Sequence, residues 1–352
     1  MPAADPNAPA VQVRDLVREF KGGIHAVDSL NLEVAPGEIY AFLGPNGAGK
    51  TTTVRILTTL LRPTSGEAFV AGYNVVRHAD AVRRLIGVAL QEAAIDPLMT
   101  GRELLHLQAA LHGLRRQAAR DRERELLERV GLVGAADRRV GGYSGGMRRR
   151  LDLALALVHR PRVLFLDEPT TGLDITSRTA LWQEVRSLND EGTTVFLTTQ
   201  YLEEAEQLAD RVGIIAQGTL VAEGTPDALK ANVGEPTVHV ELADPESAGR
   251  AREALAGLGE LDPQDEATPC RVGLRTAAGK AAIGPVIRAL DDHRVVVESV
   301  EVETPTLDDV FMAVTGSHLE GDARADDGAI PGAEQEIAPL GGPDFYQPVK
   351  RG

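Results

Sequence analysis

Hydrophobic and polar positions follow two rhythms along this chain, and each rhythm predicts a different kind of element. Short apolar or β-type runs predict strands at 11–17, 31–35, 39–44, 67–72, 85–90, 163–169, 194–199 and 212–217. Helix-type segments occupy 50–61, 175–190 and 201–209, and an apolar spacing near 3.6 residues over 101–130 predicts two helices broken near Gly113. Strands that alternate with helices indicate an α/β fold built on a largely parallel sheet.

A second, smaller unit follows the main domain, which we place at 11–232. Strand-like and helix-like segments alternate again over about 80 residues, enough for a small α+β domain at 236–316 with a closing helix at 307–316. Residues 1–10 are rich in Pro and Ala, and residues 317–352 hold Gly, Pro and Asp with few large apolar groups. Both ends are therefore predicted to be disordered.

Charge and composition narrow the choice of partners. Asp and Glu number 52 against 37 Lys and Arg, so the formal net charge is −15, whereas a nucleic-acid coat needs a basic surface. The single cysteine, Cys270, excludes an intrachain disulfide and a cysteine-rich zinc site and agrees with a reducing compartment. No stretch approaches the ~18 apolar residues of a membrane helix, and the N-terminal residues lack the apolar core of a signal peptide. We therefore expect a chain that does not span a membrane.

A glycine-rich segment links the predicted strand at 39–44 to the predicted helix at 50–61. Its residues match the G-x-x-x-x-G-K-[ST] pattern of phosphate-binding loops: Gly44, Pro45, Asn46, Gly47, Ala48, Gly49, Lys50 and Thr51. The glycines let backbone N–H groups point at phosphate oxygens, and the following helix offers its positive end to the same anion. Lys50 would add a charge for the β- and γ-phosphates, Thr51 a hydroxyl for Mg²⁺, and Thr52 completes the predicted nucleotide site. A chance glycine turn is the alternative, which the strand before and the helix after disfavour.

Two carboxylates end the apolar strand at 163–169. Asp167 is placed to hold Mg²⁺, usually through water, and Glu168 to orient and polarise a water molecule that attacks phosphate. Two solvated acids at a strand end are the alternative. Beside a phosphate-binding loop, the catalytic interpretation is preferred.

A second phosphate-binding segment is predicted at the start of a helix-like run. The sequence there is Tyr143-Ser144-Gly145-Gly146-Met147. A hydroxyl and backbone N–H groups at a helix N-terminus can bind an anion. A simple helix cap in a flexible loop is the alternative.

In their order along the chain, these motifs resemble those of the ATP-binding cassette (ABC) ATPases over about residues 11–230. The chain is most similar to exporter ATPases of the daunorubicin/doxorubicin-resistance type, on the segments YSGGMRRRLDLALAL (143–157), TTQYLEEAEQLADR (198–211) and LDDVFMAVTG (307–316). The resemblance implies a P-loop NTPase fold of the ABC type, with a mainly parallel sheet, an antiparallel β part and a helical subdomain at about 92–160. It also implies that the chain binds ATP and Mg²⁺.

The resemblance gives further residues a role. The signature 144–146 would cap the γ-phosphate bound by an opposite subunit, so the simplest assembly is a head-to-tail homodimer around two ATP molecules. Gln91 falls on the glutamine loop, where its amide can reach Mg²⁺ or the attacking water, unless it is merely a polar strand end; the segment 92–101 would meet the membrane partner. Asp174 would bridge the subunits, cap a helix, or both, and Phe20 would stack on adenine unless it belongs to the apolar core.

The sequence also departs from the family pattern. Tyr143 and Met147 replace the outer residues of the usual signature, but the residues that touch phosphate remain. Gln200 stands where the family has its switch histidine. A glutamine amide can donate a hydrogen bond to the γ-phosphate, but it cannot relay a proton as histidine can. This favours Glu168 as the base and Gln200 as a positioning contact.

These features predict the ATP-binding and ATP-hydrolysing subunit of an ABC exporter. A hydrophobic drug, antibiotic or lipid would leave through a separate multi-helix membrane permease, and the chain would sit on the cytoplasmic face of the cell membrane without binding nucleic acid. One alternative is a non-transport ABC ATPase acting on ribosomes or nucleic acid, which the single cassette and the acidic charge disfavour. Another is a regulatory subunit without turnover, suggested by Gln200. The arginine run 148–150 is expected to be a solvated helix face.

Overall fold

Three β-sheets organise the part of the chain that the structure describes. A computed structural model of the protein describes residues 8–90, 95–263 and 268–316, so most of the two ends predicted to be disordered lies outside the described residues. The strands are β1 (Val11–Phe20), β2 (Ile24–Val34), β3 (Ile39–Leu43), β4 (Ser65–Val70), β5 (Tyr73–Asn74), β6 (Ile86–Ala89), β7 (Val163–Asp167), β8 (Thr194–Thr199), β9 (Arg211–Ala216), β10 (Thr219–Gly224), β11 (Thr237–Leu242), β12 (Glu260–Leu261), β13 (Arg271–Arg275) and β14 (Val297–Glu303). The helices are α1 (Lys50–Leu57), α2 (Ala79–Arg83), α3 (Gly101–Leu111), α4 (Arg116–Arg129), α5 (Gly145–Ala156), α6 (Ile175–Asp190), α7 (Leu202–Leu208), α8 (Pro226–Val233), α9 (Ala248–Leu255), α10 (Ile283–Asp292) and α11 (Leu307–Thr315). Within the described ranges, none of these helices combines the length and apolar character needed to cross a bilayer.

A six-stranded sheet forms the centre of the larger part of the chain, in the order β10-β9-β3-β8-β7-β6. Its strands pair in parallel, except that β10 pairs antiparallel with β9. Strands β3, β7 and β8 are buried along their whole length. A parallel sheet is covered on both faces, which explains why each of these strands contains a run of apolar residues without polar alternation. The predicted α/β class with a largely parallel sheet is confirmed.

The carboxyl ends of neighbouring strands meet at one edge of this sheet. Leu43 of β3 pairs with Thr199 of β8, and Asp167 of β7 pairs with Thr198. The glycine loop, the two carboxylates and the segment after Thr199 therefore leave the sheet side by side. This edge is where open α/β sheets bind ligands.

A separate antiparallel sheet, in the order β2-β1-β4-β5, provides the antiparallel part that the family resemblance implied. Its strands bury Leu16, Leu30 and Val34 in one apolar cluster with Phe42 and Phe165 of the central sheet. The antiparallel sheet is thus packed against one face of the parallel one.

Helices α3, α4 and α5 pack together and bury apolar side chains in the core of the larger part of the chain. Helix α3 begins with a capping box, in which Thr100 and Glu103 each accept from the other's backbone N–H. The predicted break near Gly113 is confirmed, and this glycine has a φ of +74°. Leu126 of α4 and Leu151 of α5 are fully buried in the cluster that also covers the other face of the central sheet.

The C-terminal strands form a sheet of their own. Elements β11, α9, β12, β13, α10 and β14 follow one another along the chain, and the spatial order is β12-β13-β11-β14 with every neighbouring pair antiparallel. This is a ferredoxin-like arrangement. Strand β12 was not predicted, since a two-residue strand is too short to show a pattern. Val238, Leu274, Val286 and Leu290 belong to a separate apolar cluster beneath this sheet.

The last helix, α11, packs on the larger part of the chain. Leu307, Val310 and Phe311 are buried in the same apolar cluster as Leu208 of α7 and Leu229 of α8. The helix was predicted as the closing element of the small C-terminal domain, and that placement is wrong, because its apolar face packs against α7 and α8. The chain therefore leaves the larger part through α8 and returns through α11, and the domain boundaries at 232 and 236 stay a prediction.

Candidate active site

The glycine loop between β3 and α1 is so tight that only glycine fits at its bends. A Cβ on Gly44 would overlap the carbonyl oxygen of Ile215, and a Cβ on Gly49 would overlap that of Ala26. Gly47 and Gly49 have φ values of +80° and +109°, which residues with side chains rarely adopt. The loop can therefore curl its N–H groups around an anion at the start of α1, as a phosphate site requires.

Lys50 begins α1 and is almost fully buried, with its ammonium turned back into the loop. Its Nζ donates to the carbonyl oxygens of Gly44 and Pro45 at 2.6 and 3.1 Å and lies 3.5 Å from Oε1 of Glu168. Burial lowers the pKa of Lys50, and the charge of Glu168 opposes that shift. The group predicted to bind phosphate and the group predicted to activate water thus form one buried ion pair.

Asp167 ends β7 with its carboxylate buried beside two threonine hydroxyls. Its Oδ1 accepts from Oγ1 of Thr198 at 2.6 Å and from Oγ1 of Thr51 at 3.2 Å. A hard cation such as Mg²⁺ takes oxygen ligands, and it commonly uses one or two carboxylates together with substrate phosphates. The carboxylate of Asp167 and the hydroxyl of Thr51 fit that requirement. Thr198 was not predicted, because only its register opposite Asp167 reveals it.

Glu168 turns out of the strand end with a left-handed backbone, at φ +47°. Its N–H donates to both the carbonyl oxygen and Oγ1 of Thr198, each at 3.1 Å. Its Oε2 accepts from Thr171 at 3.4 Å. A non-glycine residue at positive φ is strained and persists where its surroundings hold it. The strained turn brings the carboxylate to Lys50.

The signature residues open helix α5. Ser144 is the N-cap, and its Oγ accepts from the N–H of Met147 at 3.2 Å, so the helix-cap interpretation holds. Ser144 and Gly145 are exposed, and within the described ranges Ser144 makes no hydrogen bond to the glycine loop of its own chain. Gly146 meets the start of α6, since a Cβ there would lie 2.8 Å from Oγ of Ser177. The N-terminus of α5 therefore faces outward.

The remaining predicted residues lie around this centre. Asp174 caps α6: its carboxylate accepts from the N–H and Oγ of Ser177 at 2.8 and 2.9 Å, and these bonds lower its pKa. Phe20 is 38% exposed at the end of β1, so it is not a core residue. Gln200 is half-buried directly after β8. Gln91 lies outside the described residues.

The interpretation of the arginine run as a solvated face is wrong for two of its three members, since Arg150 is half-buried and donates to the carbonyl oxygen of Val130, and Arg149 is held more tightly still. Arg148 is exposed as expected, but the side chain of Arg149 is only 12% exposed, and its guanidinium donates to the carbonyl oxygens of Leu90 and Asp167. Burial lowers the pKa of Arg149, and the charge of Asp152 opposes that shift. Consecutive helical residues point in different directions, so three adjacent arginines cannot share one face.

Known protein families match both the larger part of the chain and its C-terminal part. The family model described as ABC transporter matches residues 27–171, and the one described as ATP-binding protein DrrA1-3-like, C-terminal domain, matches residues 224–315. The daunorubicin resistance ATP-binding protein DrrA2 of Streptomyces coeruleorubidus is 47% identical over 311 residues, which cover 88% of this chain and 96% of that protein. The linearmycin resistance ATP-binding protein LnrL of Bacillus subtilis is 33% identical over 307 residues, which cover 86% of this chain and 97% of that protein.

Solved structures show the same fold. The structure of an ATP binding subunit of an ABC transporter is 26% identical, with a TM-score of 0.59 over 63% of this chain and 92% of that one. A dimeric ATP-binding cassette in a post-hydrolysis state, bound to ADP and Pi, is 27% identical, with a TM-score of 0.57 over 61% of this chain and 98% of that one. These findings confirm the family, the fold and the ATPase class predicted from the motifs. The chain belongs to the ABC transporter family, as an ATP-binding subunit that hydrolyses ATP.

Proposed function

We propose that this chain is a Mg²⁺-dependent ATPase that powers the efflux of a hydrophobic drug, antibiotic or lipid through a separate membrane permease. The observation that carries the proposal is the meeting of Lys50, Asp167 and Glu168 at one edge of the central sheet. The names of the relatives, which are resistance proteins against daunorubicin and linearmycin, support the class of cargo.

Hydrolysis would use the residues at this edge. When ATP binds, the ammonium of Lys50 leaves its ion pair with Glu168 and binds the β- and γ-phosphates. The Glu168 carboxylate can then accept a proton from the attacking water. When bound, Mg²⁺ would neutralise charge on the phosphates, and Thr51 and Asp167 would supply oxygens to hold it. Gln200 donates a hydrogen bond to the γ-phosphate from the neighbouring strand end. Because an amide relays no proton, Glu168 is the base.

A second copy of the chain would complete the site. Ser144 and Gly145 are exposed at the N-terminus of α5, so in a head-to-tail homodimer the signature of one protomer caps the γ-phosphate held by the other. Asp174, exposed at the start of α6, would contact the partner there. Phe20 would stack on adenine, and Gln91 would reach Mg²⁺ or the attacking water. ATP then favours the closed dimer and ADP does not, which links hydrolysis to movement.

A groove of about 460 Å³ would receive a cytoplasmic helix of the permease. It lies between the edge strand β6 and helices α3 and α5, with Leu60, Leu90 and Ile95 among its apolar residues and Arg83 among its charged ones. Ile95 belongs to the segment 92–101 that the family resemblance assigned to the membrane partner. The chain would then bind the permease from the cytoplasmic face of the cell membrane.

A pull-down from the native host tests this function. The tagged Glu168→Gln chain should hydrolyse ATP slowly and stay in its ATP-bound form. With ATP and mild detergent, we expect one multi-helix membrane protein to co-purify in near-stoichiometric amount. The matched control is the same chain with Ile95→Asp, which places a charge in the apolar groove and should lose the membrane protein while still binding ATP. Ribosomes, DNA or no membrane protein in the eluate would overturn the exporter function.

A further inference from the structure

One side chain joins three elements that border the active site. The guanidinium of Arg149, on α5, donates through Nη2 to the carbonyl oxygen of Asp167 at 2.7 Å, through Nε to that of Pro169 at 2.9 Å and through Nη1 to that of Leu90 at 2.8 Å. Its Nη1 also lies 3.2 Å from Oδ2 of Asp152. These bonds use the rigid planar fork of a guanidinium, which the single ammonium of a lysine cannot reproduce.

Two of these carbonyls flank Glu168. Asp167 precedes it and Pro169 follows it, and Glu168 itself is held at φ +47°. Such a conformation persists only where the surrounding structure over-determines it. Thr198 binds the N–H of Glu168, and Arg149 binds the backbone on either side of it. The guanidinium therefore helps to fix the direction in which the Glu168 carboxylate leaves the strand.

Arg149 also connects the backbone around Glu168 to two other motifs. One link is its hydrogen bond to the carbonyl oxygen of Leu90, and the other is its position on helix α5. Leu90 directly precedes Gln91 in the sequence. Arg149 lies on the same helix as the signature 144–146, whose Ser144 is the N-cap of α5. Any displacement of α5 against the central sheet would therefore move the donor that holds the backbone around Glu168.

We propose that Arg149 is a positioning residue for ATP hydrolysis, which holds Glu168 in its catalytic orientation and makes that orientation depend on helix α5. Arg149 acts through the backbone around Glu168 and needs no contact with nucleotide. The proposal rests on the proposed role of Glu168 as the base, and it does not depend on the exporter function. Misplacing a catalytic group by about 1 Å can cost about 10²-fold in rate. Loss of the hydrogen bonds from Arg149 to the backbone around Glu168 should therefore lower kcat.

Steady-state ATP hydrolysis by the purified full-length chain tests the proposal. We expect Arg149→Gln to lower kcat by about 10- to 100-fold and to change the KM for ATP by less than about threefold, because the nucleotide contacts remain. Arg149→Lys keeps a positive charge beside Asp152, so it should fold even if Arg149→Gln does not. It should show the same loss of kcat, because an ammonium cannot bridge the carbonyls. Arg148→Gln removes the same charge from the exposed neighbouring position and should keep the wild-type kcat.

The decisive measurement is the single-turnover rate in a Glu168→Gln background. If Arg149 acts through Glu168, adding Arg149→Gln to Glu168→Gln should slow hydrolysis no further. A full additional loss in the double variant, a raised KM with unchanged kcat, or an equal loss in Arg148→Gln would overturn the proposal. Wild-type turnover in Glu168→Gln alone would refute the assignment of the base instead, so the two failures can be told apart.

Discussion

Replacing Glu168 by Gln should tighten ATP binding as well as slow hydrolysis. In this structure the ammonium of Lys50 forms an ion pair with Glu168, with its Nζ 3.5 Å from Oε1. ATP has to draw that ammonium toward its phosphates, and the carboxylate both competes for the lysine and repels the incoming phosphate charge. The neutral amide of Gln removes both terms while keeping the size of the side chain.

The magnitude follows from the geometry of the pair. Two unit charges 3.5 Å apart attract by about 5 kcal/mol at an effective dielectric constant of about 20. Part of that attraction is offset, because Lys50 also donates to the carbonyl oxygens of Gly44 and Pro45 and Glu168 also accepts from Thr171. If about a third of it remains as a difference between the free and bound protein, the affinity for ATP should rise about tenfold.

Binding of a fluorescent ATP analogue without Mg²⁺ isolates this effect, because neither protein hydrolyses nucleotide under that condition. Glu203→Gln is the matched control: it removes the same charge from an exposed side chain that pairs with Arg178 and should leave the affinity unchanged. With Mg²⁺ restored, Glu168→Gln should lower the hydrolysis rate by about 10²- to 10⁴-fold. An affinity within twofold of wild type, or equal tightening by Glu203→Gln, would refute the idea that the ion pair competes with phosphate.

Two further changes test other parts of the site. Gly146→Ala should unfold in urea with a free energy about 1–3 kcal/mol lower than Gly145→Ala. Both changes gain the same helix propensity, but a Cβ at 146 would lie 2.8 Å from Oγ of Ser177, whereas one at 145 meets nothing within 4 Å. Equal free energies for the two variants would contradict the packing of α5 on α6. Asp152, whose pKa is raised to about 6 by burial, keeps its proton to a higher pH in the folded chain than in the unfolded one. Relative to Asp152→Asn, the wild-type free energy of unfolding should therefore fall as the pH rises from about 4 to about 6, by at most about 3 kcal/mol. Parallel pH profiles for the two proteins would contradict the raised pKa.

Helices and strands could be predicted from the sequence where a uniform pattern of burial or a clear cap residue marks them. Helix α6 was predicted at 175–190 and is found at Ile175–Asp190, directly after the cap Asp174. Strands β7 and β8 are buried on both faces, and each contains an unbroken apolar run, at 163–166 and 195–197. Strand β10 was missed because both of its faces are partly exposed, which weakens the apolar pattern. Helix α8 was not predicted, although Thr225 as its N-cap and Pro226 at its first position are typical signals of a helix start.

Some residues of the active site could likewise be predicted from the sequence, and others could not. The glycine loop and the two carboxylates are continuous in sequence, so their spacing was enough to predict them. Thr198 reaches Asp167 only through the parallel register of β8 with β7, and Arg149 reaches the same residue only because α5 packs across the strand ends. Contacts of this kind depend on the tertiary fold, and no local pattern encodes them.

The return of α11 to α8 makes the C-terminal sheet an insertion, with its entry and exit held side by side. A truncation that removes everything after 236 would also remove Leu307, Val310 and Phe311 from the core and uncover Leu229. Lost activity in such a fragment would report damage to the nucleotide-binding part, whatever the sheet does. Excising 237–303 and rejoining the chain with a short glycine-serine linker keeps α11 in place. Only that variant would report what the C-terminal sheet adds to dimerisation or to the permease.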